Sequence, residues 1–178
     1  MNDIIAKHPM DGVRYTKPVR AVDDIHFLTR EEQTIFLETA KRSHNYRQYV
    51  LLLETGLRTS ELIGLTWDSI DWKKHTLTIN KTLEYRHQNK CWRAGPPKTE
   101  KSYRTIPLTD RAYAVLKSCY DERESRKEAD TLSQVLEYMD RRTGRTGTLV
   151  MKDLVFINYR TGEPAKNSSY DTHLYKLC

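Results

Sequence analysis

An apolar run at residues 49–53 limits most strongly how this chain can fold. The run from Tyr49 to Leu53 consists of one tyrosine, one valine and three leucines, so a helix through it is apolar on every side. Such a helix is expected to be buried on more than one side. Gly56 follows at the predicted end of this helix, where a residue that tolerates a positive φ is favoured.

The order of patterns predicts helices first and a sheet afterwards. Thr29 and Glu32 have the spacing of a capping box, which predicts a helix to about residue 43, followed by helices over 46–55 and 58–64. Alternating or short apolar segments then predict strands at 75–79, 90–93 and 102–106, before a helix over 111–126. We further expect a peripheral helix within 126–148 and a last helix that begins near residue 168. The fold class is therefore α+β and mainly helical, with a small three-stranded antiparallel sheet at one edge.

Composition restricts the environment of the chain more than its function. The formal net charge is +6, which suits a polyanionic partner but is also typical of many solvated surfaces. The three cysteines form no Cys-x-x-Cys pair, so neither a disulfide framework nor a metal site is indicated, and a reducing cytoplasm is the expected compartment. No apolar run approaches the roughly 18 residues that span a membrane, and the N-terminus resembles no signal peptide.

Arg58 is the first residue whose position suggests chemistry. It follows the predicted helix end at Gly56 and begins the next helix, so a rigid element can aim its guanidinium at two phosphate oxygens. Glu61 lies three residues further on the same helical face and can hold Arg58 in one rotamer. An ordinary surface pair worth a few tenths of a kcal/mol explains the same spacing.

Lys98 is the second candidate, on a predicted hairpin after Gly95. A lysine there can swing to protonate an alkoxide leaving group, although hairpin tips also carry many solvated lysines. The residues from 81 to 111 contain eight basic side chains against three acidic ones, which makes the predicted sheet the basic part of the molecule. The residues that we expect to contact DNA in this part are Arg86, Lys90, Arg93, Lys101 and Arg104.

The order of these elements carries a family resemblance. The segment 55–62 (Thr-Gly-Leu-Arg-Thr-Ser-Glu-Leu), then 65–71 (Leu-Thr-Trp-Asp-Ser-Ile-Asp), Pro97-Lys98-Thr99 and 104–108 (Arg-Thr-Ile-Pro-Leu) resemble the tyrosine recombinases, in particular the integrases of phages and conjugative transposons. The resemblance implies that residues 1–13 end a core-binding domain and that 14–28 are an interdomain linker. Residues 29–178 would then be the N-terminal portion of the catalytic domain.

The resemblance also implies a reaction and roles for three residues. In this family a tyrosine attacks the scissile phosphate and forms a 3′-phosphotyrosyl link with a free 5′-hydroxyl, without ATP, a cofactor or an obligatory metal. Arg58 matches the arginine that neutralises the non-bridging oxygens, Lys98 matches the general acid, and Glu61 matches a supporting carboxylate. The implied partner is double-stranded DNA.

The chain departs from the family pattern after Lys98. No His-x-x-Arg motif and no matching tyrosine nucleophile follow within these 178 residues. His44 and Arg47 have the required letters but precede Arg58, and we interpret them as a junction between a loop and a helix. Tyr175 precedes the point where the second block would begin, and we expect it to pack on a helix face.

Two main hypotheses follow. The first is an incomplete integrase catalytic domain that binds DNA but is inactive by itself, and the second is a non-catalytic module that binds DNA or associates with a full-length integrase. A basic nuclease of another fold is a weaker alternative, because Asp68 and Asp71 fit turn or cap positions better than they fit metal ligands. If later helices are missing, residues 50–53 are partly uncovered, which predicts low stability or self-association.

Overall fold

The structure, a computed structural model, describes residues 12–13, 27–97, 99, 102–125, 135–140, 142–158 and 163–177. The predicted core-binding end and linker therefore lie almost entirely outside the described residues. The helices within the described part are α1 (Arg30–Ala40), α2 (Tyr46–Thr55), α3 (Thr59–Ile63), α4 (Asp110–Ser125) and α5 (Asn167–Leu177). Short 3-10 helices cover Trp67–Ser69 and Met151–Asp153.

The sequence signals at the first helices act as predicted. The Thr29 hydroxyl accepts a hydrogen bond from the Glu32 amide at 3.2 Å, while the Glu32 carboxylate accepts one from the Thr29 amide at 2.8 Å. Gly56 ends α2 in the left-handed conformation, with φ 62°, and its amide donates to the Leu52 carbonyl. The left-handed residue therefore separates α2 from α3.

Two sheets are present among the described residues. The three-stranded antiparallel sheet has the order β1-β2-β5, with strands Ile70–Asp71, Thr76–Ile79 and Arg104–Pro107. The four-stranded sheet has the order β3-β4-β6-β7, with strands Thr82–Arg86, Cys91–Gly95, Val135–Asp140 and Thr146–Val150. Strands β4 and β6 are parallel, and the other pairs in both sheets are antiparallel.

The three-stranded sheet confirms the predicted fold class, but its strands differ from those expected. Residues 91–93 of the predicted strand 90–93 belong to β4 in the second sheet, and Lys90 precedes that strand. The third strand of the three-stranded sheet is β1. The predicted helix within 126–148 is wrong where the structure describes it, because residues 135–140 form β6. Leu136 is buried between exposed Val135 and Glu137, which is the two-residue period of a strand, and β6 is fixed by ladders to both neighbours.

The core joins the helices to both sheets. Its most deeply buried side chains come from α2, α3, β2, β3, α4 and the second 3-10 helix, and include Leu51, Leu62, Leu77, Leu83, Leu116 and Met151. Gly64 lies where α3 meets β3, and a Cβ added there would be 2.8 Å from the Leu83 backbone nitrogen. Glycine is therefore required at this contact by close backbone approach, since its φ is an ordinary −83°.

The apolar run at residues 49–53 is largely covered. Val50 and Leu51 are buried, so the expectation that residues 50–53 are partly uncovered is wrong for these two positions, whereas Leu53 is 37% exposed. Tyr170 of α5 is also buried and contributes to the core. The expectation that Tyr175 packs on a helix face is wrong, because its side chain is 88% exposed near the end of α5.

Candidate functional site

The candidate site begins at the turn between α2 and α3. Gly56 ends α2, and Arg58 follows as the residue just before α3 with an extended backbone, at φ −75° and ψ 152°. The backbone amide of Arg58 donates to Glu61 Oε2 at 2.9 Å, and its guanidinium Nη1 donates to Glu61 Oε1 at 2.9 Å. The Glu61 carboxylate thus fixes both the backbone and the side chain of Arg58.

A second arginine binds the same carboxylate from β5. Arg104 Nη1 donates to Glu61 Oε1 at 3.1 Å, and Arg104 Nη2 donates to Glu61 Oε2 at 2.9 Å. This is a bidentate pair, in which two parallel donors match the two carboxylate oxygens. The same guanidinium also donates to the carbonyls of Ser102 and Gly56, at 3.3 and 3.5 Å. Arg104 therefore ties the start of β5 to the α2–α3 turn.

The three side chains differ sharply in exposure. Glu61 is 1% exposed, Arg104 is 27% exposed and Arg58 is 67% exposed. Burial alone would raise the pKa of Glu61, but the hydrogen bonds from Arg104 and from the backbone and side chain of Arg58 outweigh it and hold the pKa below its usual value. Glu61 is therefore ionised at neutral pH, and the guanidinium of Arg58 faces solvent where an anion can reach it.

The remaining predicted residues are distributed over the second sheet or lie outside the described part. Arg86 ends β3 and pairs with Glu84 at 2.8 Å, Lys90 is exposed in the turn before β4, and Arg93 is half-buried on β4 opposite Glu84. Lys98 and Lys101 lie outside the described residues, so the assignment of Lys98 as the general acid stays a prediction.

Sequence reasoning missed the role of Arg104 and a polar cluster near the start of β3. The sequence groups Arg104 with the basic residues of a hairpin, although a glutamate followed by Leu62 and Ile63 on a short helix is a signal for a buried carboxylate that needs partners.

In the polar cluster near the start of β3, Lys81 Nζ donates to the buried Thr66 hydroxyl at 2.7 Å and lies 3.4 Å from Asp68 Oδ1.

The two aspartates considered as an alternative metal site have structural roles. The Asp71 carboxylate accepts hydrogen bonds from the amides of Lys73 and Lys74, both at 3.0 Å, and forms the turn before β2. Asp68 accepts a hydrogen bond from the Thr66 hydroxyl within the first 3-10 helix, which with Lys81 lowers its pKa despite partial burial. Within the described ranges, no three His, Cys, Asp or Glu side chains are grouped so that they could hold a metal ion.

A cleft of about 980 Å³ lies between α2, α4 and α5. The ring of His173 on α5 contacts His44 in this cleft, with centroids 5.0 Å apart, and His173 Nδ1 is 3.3 Å from the Tyr49 hydroxyl. His44 lies in the loop before α2 and Arg47 in the first turn of α2, as predicted for a junction between a loop and a helix. Arg47 is paired with Glu122, so it is not aimed at the Arg58 site.

Sequence comparisons match most of the chain to one family model. Residues 26–178 match the model of the phage integrase family. The transposase from transposon Tn916 of Enterococcus faecalis is 30% identical over 135 residues, which are 72% of this chain and 33% of that protein. A tyrosine recombinase XerC-like protein of Caldanaerobacter subterraneus subsp. tengcongensis is 27% identical over 124 residues, which are 64% of this chain and 32% of that protein.

The fold is also that of a solved transposon integrase. A point variant of the Tn1549 transposon integrase, in complex with transposon right end DNA, superposes with a TM-score of 0.67 and 22% identity over 98% of this chain and 51% of that chain. The present chain thus spans about a third of the length of the curated relatives that it matches and about half of this structure. In the described part, no helix is both long enough and apolar enough to cross a membrane.

Proposed function

This chain belongs to the phage integrase family, and we propose that it acts in site-specific recombination of double-stranded DNA, as the part of a tyrosine recombinase that holds the scissile phosphate. One observation carries this proposal. The guanidinium of Arg58 is solvent-facing but fixed by a buried carboxylate on the adjoining short helix. A preorganised cation of this kind stabilises negative charge that develops on phosphate oxygens during strand exchange.

The proposed chemistry follows that of the family. A tyrosine hydroxyl attacks the phosphorus and loses its proton to water, the bond to the 5′-oxygen breaks, and the 3′-phosphate remains linked to the tyrosine. Arg58 donates to the non-bridging oxygens, whose charge grows as the tyrosine attacks. Lys98 gives a proton to the departing 5′-oxygen, and Glu61 supports Arg58. The reaction conserves the bond energy, so the proposal includes neither ATP nor a metal cofactor.

We propose that Arg86, Lys90, Arg93 and Lys101 contact the phosphate backbone near this site. Arg86 and Lys90 are exposed at one end of the β3–β4 hairpin, and Arg93 lies within β4. Solved relatives of this fold were determined as integrase complexes with DNA, which supports duplex DNA as the partner. Contacts of this type give affinity without sequence information, so the recognised site has to be read by other residues.

The proposal limits what these 178 residues do by themselves. No His-x-x-Arg motif follows Lys98 in the sequence, so we expect this polypeptide to bind DNA without cleaving it. The chain would associate with a second copy of itself or with a full-length integrase, and of these two partners the full-length integrase would supply the missing groups. The proposed compartment is the cytoplasm, where the DNA of a phage or a conjugative element is accessible.

Binding can be tested by fluorescence anisotropy with a duplex of random sequence. We expect affinity to fall steeply between about 50 and 200 mM salt, because each phosphate contact releases about one counterion. Arg58→Gln should weaken binding and reduce the salt slope by about one. Arg111→Gln is the matched control, since it removes the same charge from an arginine that pairs with Glu54 at 3.6 Å on the α2–α4 side of the chain. No binding by the unaltered chain, or equal losses in both variants, would contradict the proposed site.

Cleavage is tested with nicked suicide duplexes whose cores are randomised, since the target site is unknown. We expect no covalent adduct between protein and DNA on a denaturing gel. A stable 3′-phosphotyrosyl adduct, identified by mass spectrometry of the labelled peptide, would show that one of the tyrosines in these 178 residues is a nucleophile. That result would refute the proposed dependence on a second chain or segment.

A further inference from the structure

Two arginines bind the single carboxylate at the Arg58 site, although only Arg58 is the candidate phosphate contact. Glu61 is bound by two guanidiniums, and the second of them, from Arg104, occupies both carboxylate oxygens. A buried glutamate paired with Arg58 alone would form a neutral pair, and a neutral pair attracts a phosphate poorly. With Arg104 included, the three side chains carry one net positive charge.

Exposure determines where this charge is available. The Arg104 side chain is largely withdrawn from solvent, and its donors are directed at Glu61 and at the carbonyls of Ser102 and Gly56. The Arg58 guanidinium contacts Glu61 through Nη1 and otherwise faces solvent. The surplus positive charge is therefore presented to an incoming anion by Arg58.

We propose that Arg104 is a positioning residue that neutralises the charge of Glu61, so that Glu61 can orient Arg58 without cancelling the attraction of Arg58 for a phosphate. This inference rests on the proposed function, because it gives Arg104 a role in the same phosphate site. The sequence placed Arg104 among the basic residues expected to contact the DNA backbone. The proposed positioning role replaces that direct contact.

The arrangement also links two parts of the site. Arg104 begins β5, shortly after the segment that contains Lys98 in the sequence, while Glu61 belongs to α3. The bidentate pair holds the start of β5 against the α2–α3 turn, through Glu61 and the Gly56 carbonyl. Loss of Arg104 would change both the charge at Arg58 and the anchoring of this strand, and the two effects require separate variants.

The test compares Arg104→Gln, Arg104→Lys, Glu61→Gln and the double variant Glu61→Gln with Arg104→Gln, with Arg111→Gln as the charge-matched control. Two probes are used: a random duplex DNA followed by anisotropy, and inorganic phosphate followed by the NMR shift of the Arg58 Nε–H group. We expect Arg104→Gln to weaken both interactions about tenfold, which corresponds to roughly 1.4 kcal/mol. The affinity of the double variant for both probes should lie within about threefold of the affinity of the unaltered chain, because the amide oxygen introduced by Glu61→Gln accepts a hydrogen bond from Arg58 without carrying a charge.

The double variant decides between positioning and contact. If it binds as weakly as Arg104→Gln, then Arg104 acts through direct contact or through general structure, and the inference is overturned. Unchanged binding by Arg104→Gln overturns it as well. If Arg104→Gln does not fold, the double variant is compared with the unaltered chain instead, and binding weaker by more than about threefold overturns the inference. Arg104→Lys, which keeps the charge but loses the bidentate geometry, should bind more tightly than Arg104→Gln.

The two probes also separate this inference from the proposed function. If the unaltered chain fails to bind duplex DNA but Arg104 governs phosphate binding at Arg58, the inference holds and the proposed function fails. If duplex DNA binds normally to every variant except one altered at Arg58, the proposed function holds and the inference fails. Absence of both interactions in the unaltered chain overturns both.

Discussion

Truncation of Glu61 is the strongest test of the energetics of this site. Glu61→Ala removes the acceptor of four hydrogen bonds, three from the guanidinium groups of Arg58 and Arg104 and one from the Arg58 backbone amide. The Arg104 guanidinium is then largely buried without its partner. Removing one partner of a buried ion pair typically costs about 3–5 kcal/mol. The exposed Arg58 guanidinium regains water, which reduces the loss, so we expect the free energy of unfolding to fall by about 3 kcal/mol. For a chain of this size that lowers Tm by roughly 6–12 °C.

The measurement is urea denaturation followed by circular dichroism, with a thermal melt as a second reading. Glu38→Ala is the matched control, because Glu38 also pairs with a basic residue three positions away, Lys41, but both side chains are exposed. An exposed pair of this spacing contributes at most about 0.5 kcal/mol. If Glu61→Ala destabilises the chain by less than about 1 kcal/mol, or by no more than Glu38→Ala, the carboxylate does not hold the site together as described.

Three further predictions concern the same fold. Gly64→Ala should lower the free energy of unfolding by about 1–3 kcal/mol in urea denaturation, because the new methyl group meets the Leu83 backbone, and an unchanged midpoint would contradict this close contact. Because the folded-state pKa of Glu61 is lowered, its stabilising contribution is complete above its unfolded pKa of about 4.3 and is lost as pH falls through the folded value. The stability difference between the unaltered chain and Glu61→Gln should therefore shrink below about pH 4, and a constant difference would refute the linkage. Burial raises the pKa of the Cys119 thiol to about 11, so iodoacetamide at about pH 8 should modify Cys91 well before Cys119 in peptide maps, and equal rates would show that Cys119 is accessible.

Local signals in the sequence predicted the first half of the fold well. The capping box at Thr29 and the glycine at position 56 act within a few residues of chain, and both have their predicted geometry. Strand β6 differs from its predicted helix because a short apolar cluster in charged surroundings fits either period. Its ladders to β4 and β7, which are separate segments of the chain, decide the outcome.

In the candidate site, too, the sequence predicts the short-range contact but not the long-range one. Arg58 and Glu61 are three residues apart, and helical spacing alone predicts their pairing. Arg104 lies 43 residues from Glu61, and a count of basic residues cannot tell a side chain that faces a phosphate from one that neutralises a buried carboxylate. The variants at Arg58 and Arg104 test the proposed roles of these two residues directly.

By itself, the sequence determined the family, the helical start of the fold and the pairing of Arg58 with Glu61, because motif order and short-range spacing are properties of the chain. Only the tertiary structure decided that Glu61 is buried and that Arg104 shares it. Burial makes an unpaired carboxylate costly, so the ionised form of Glu61 depends on donors that the fold brings from β5 as well as from the start of its own helix. The net positive charge at Arg58 is thus a property of three elements packed together and is not contained in any one of them.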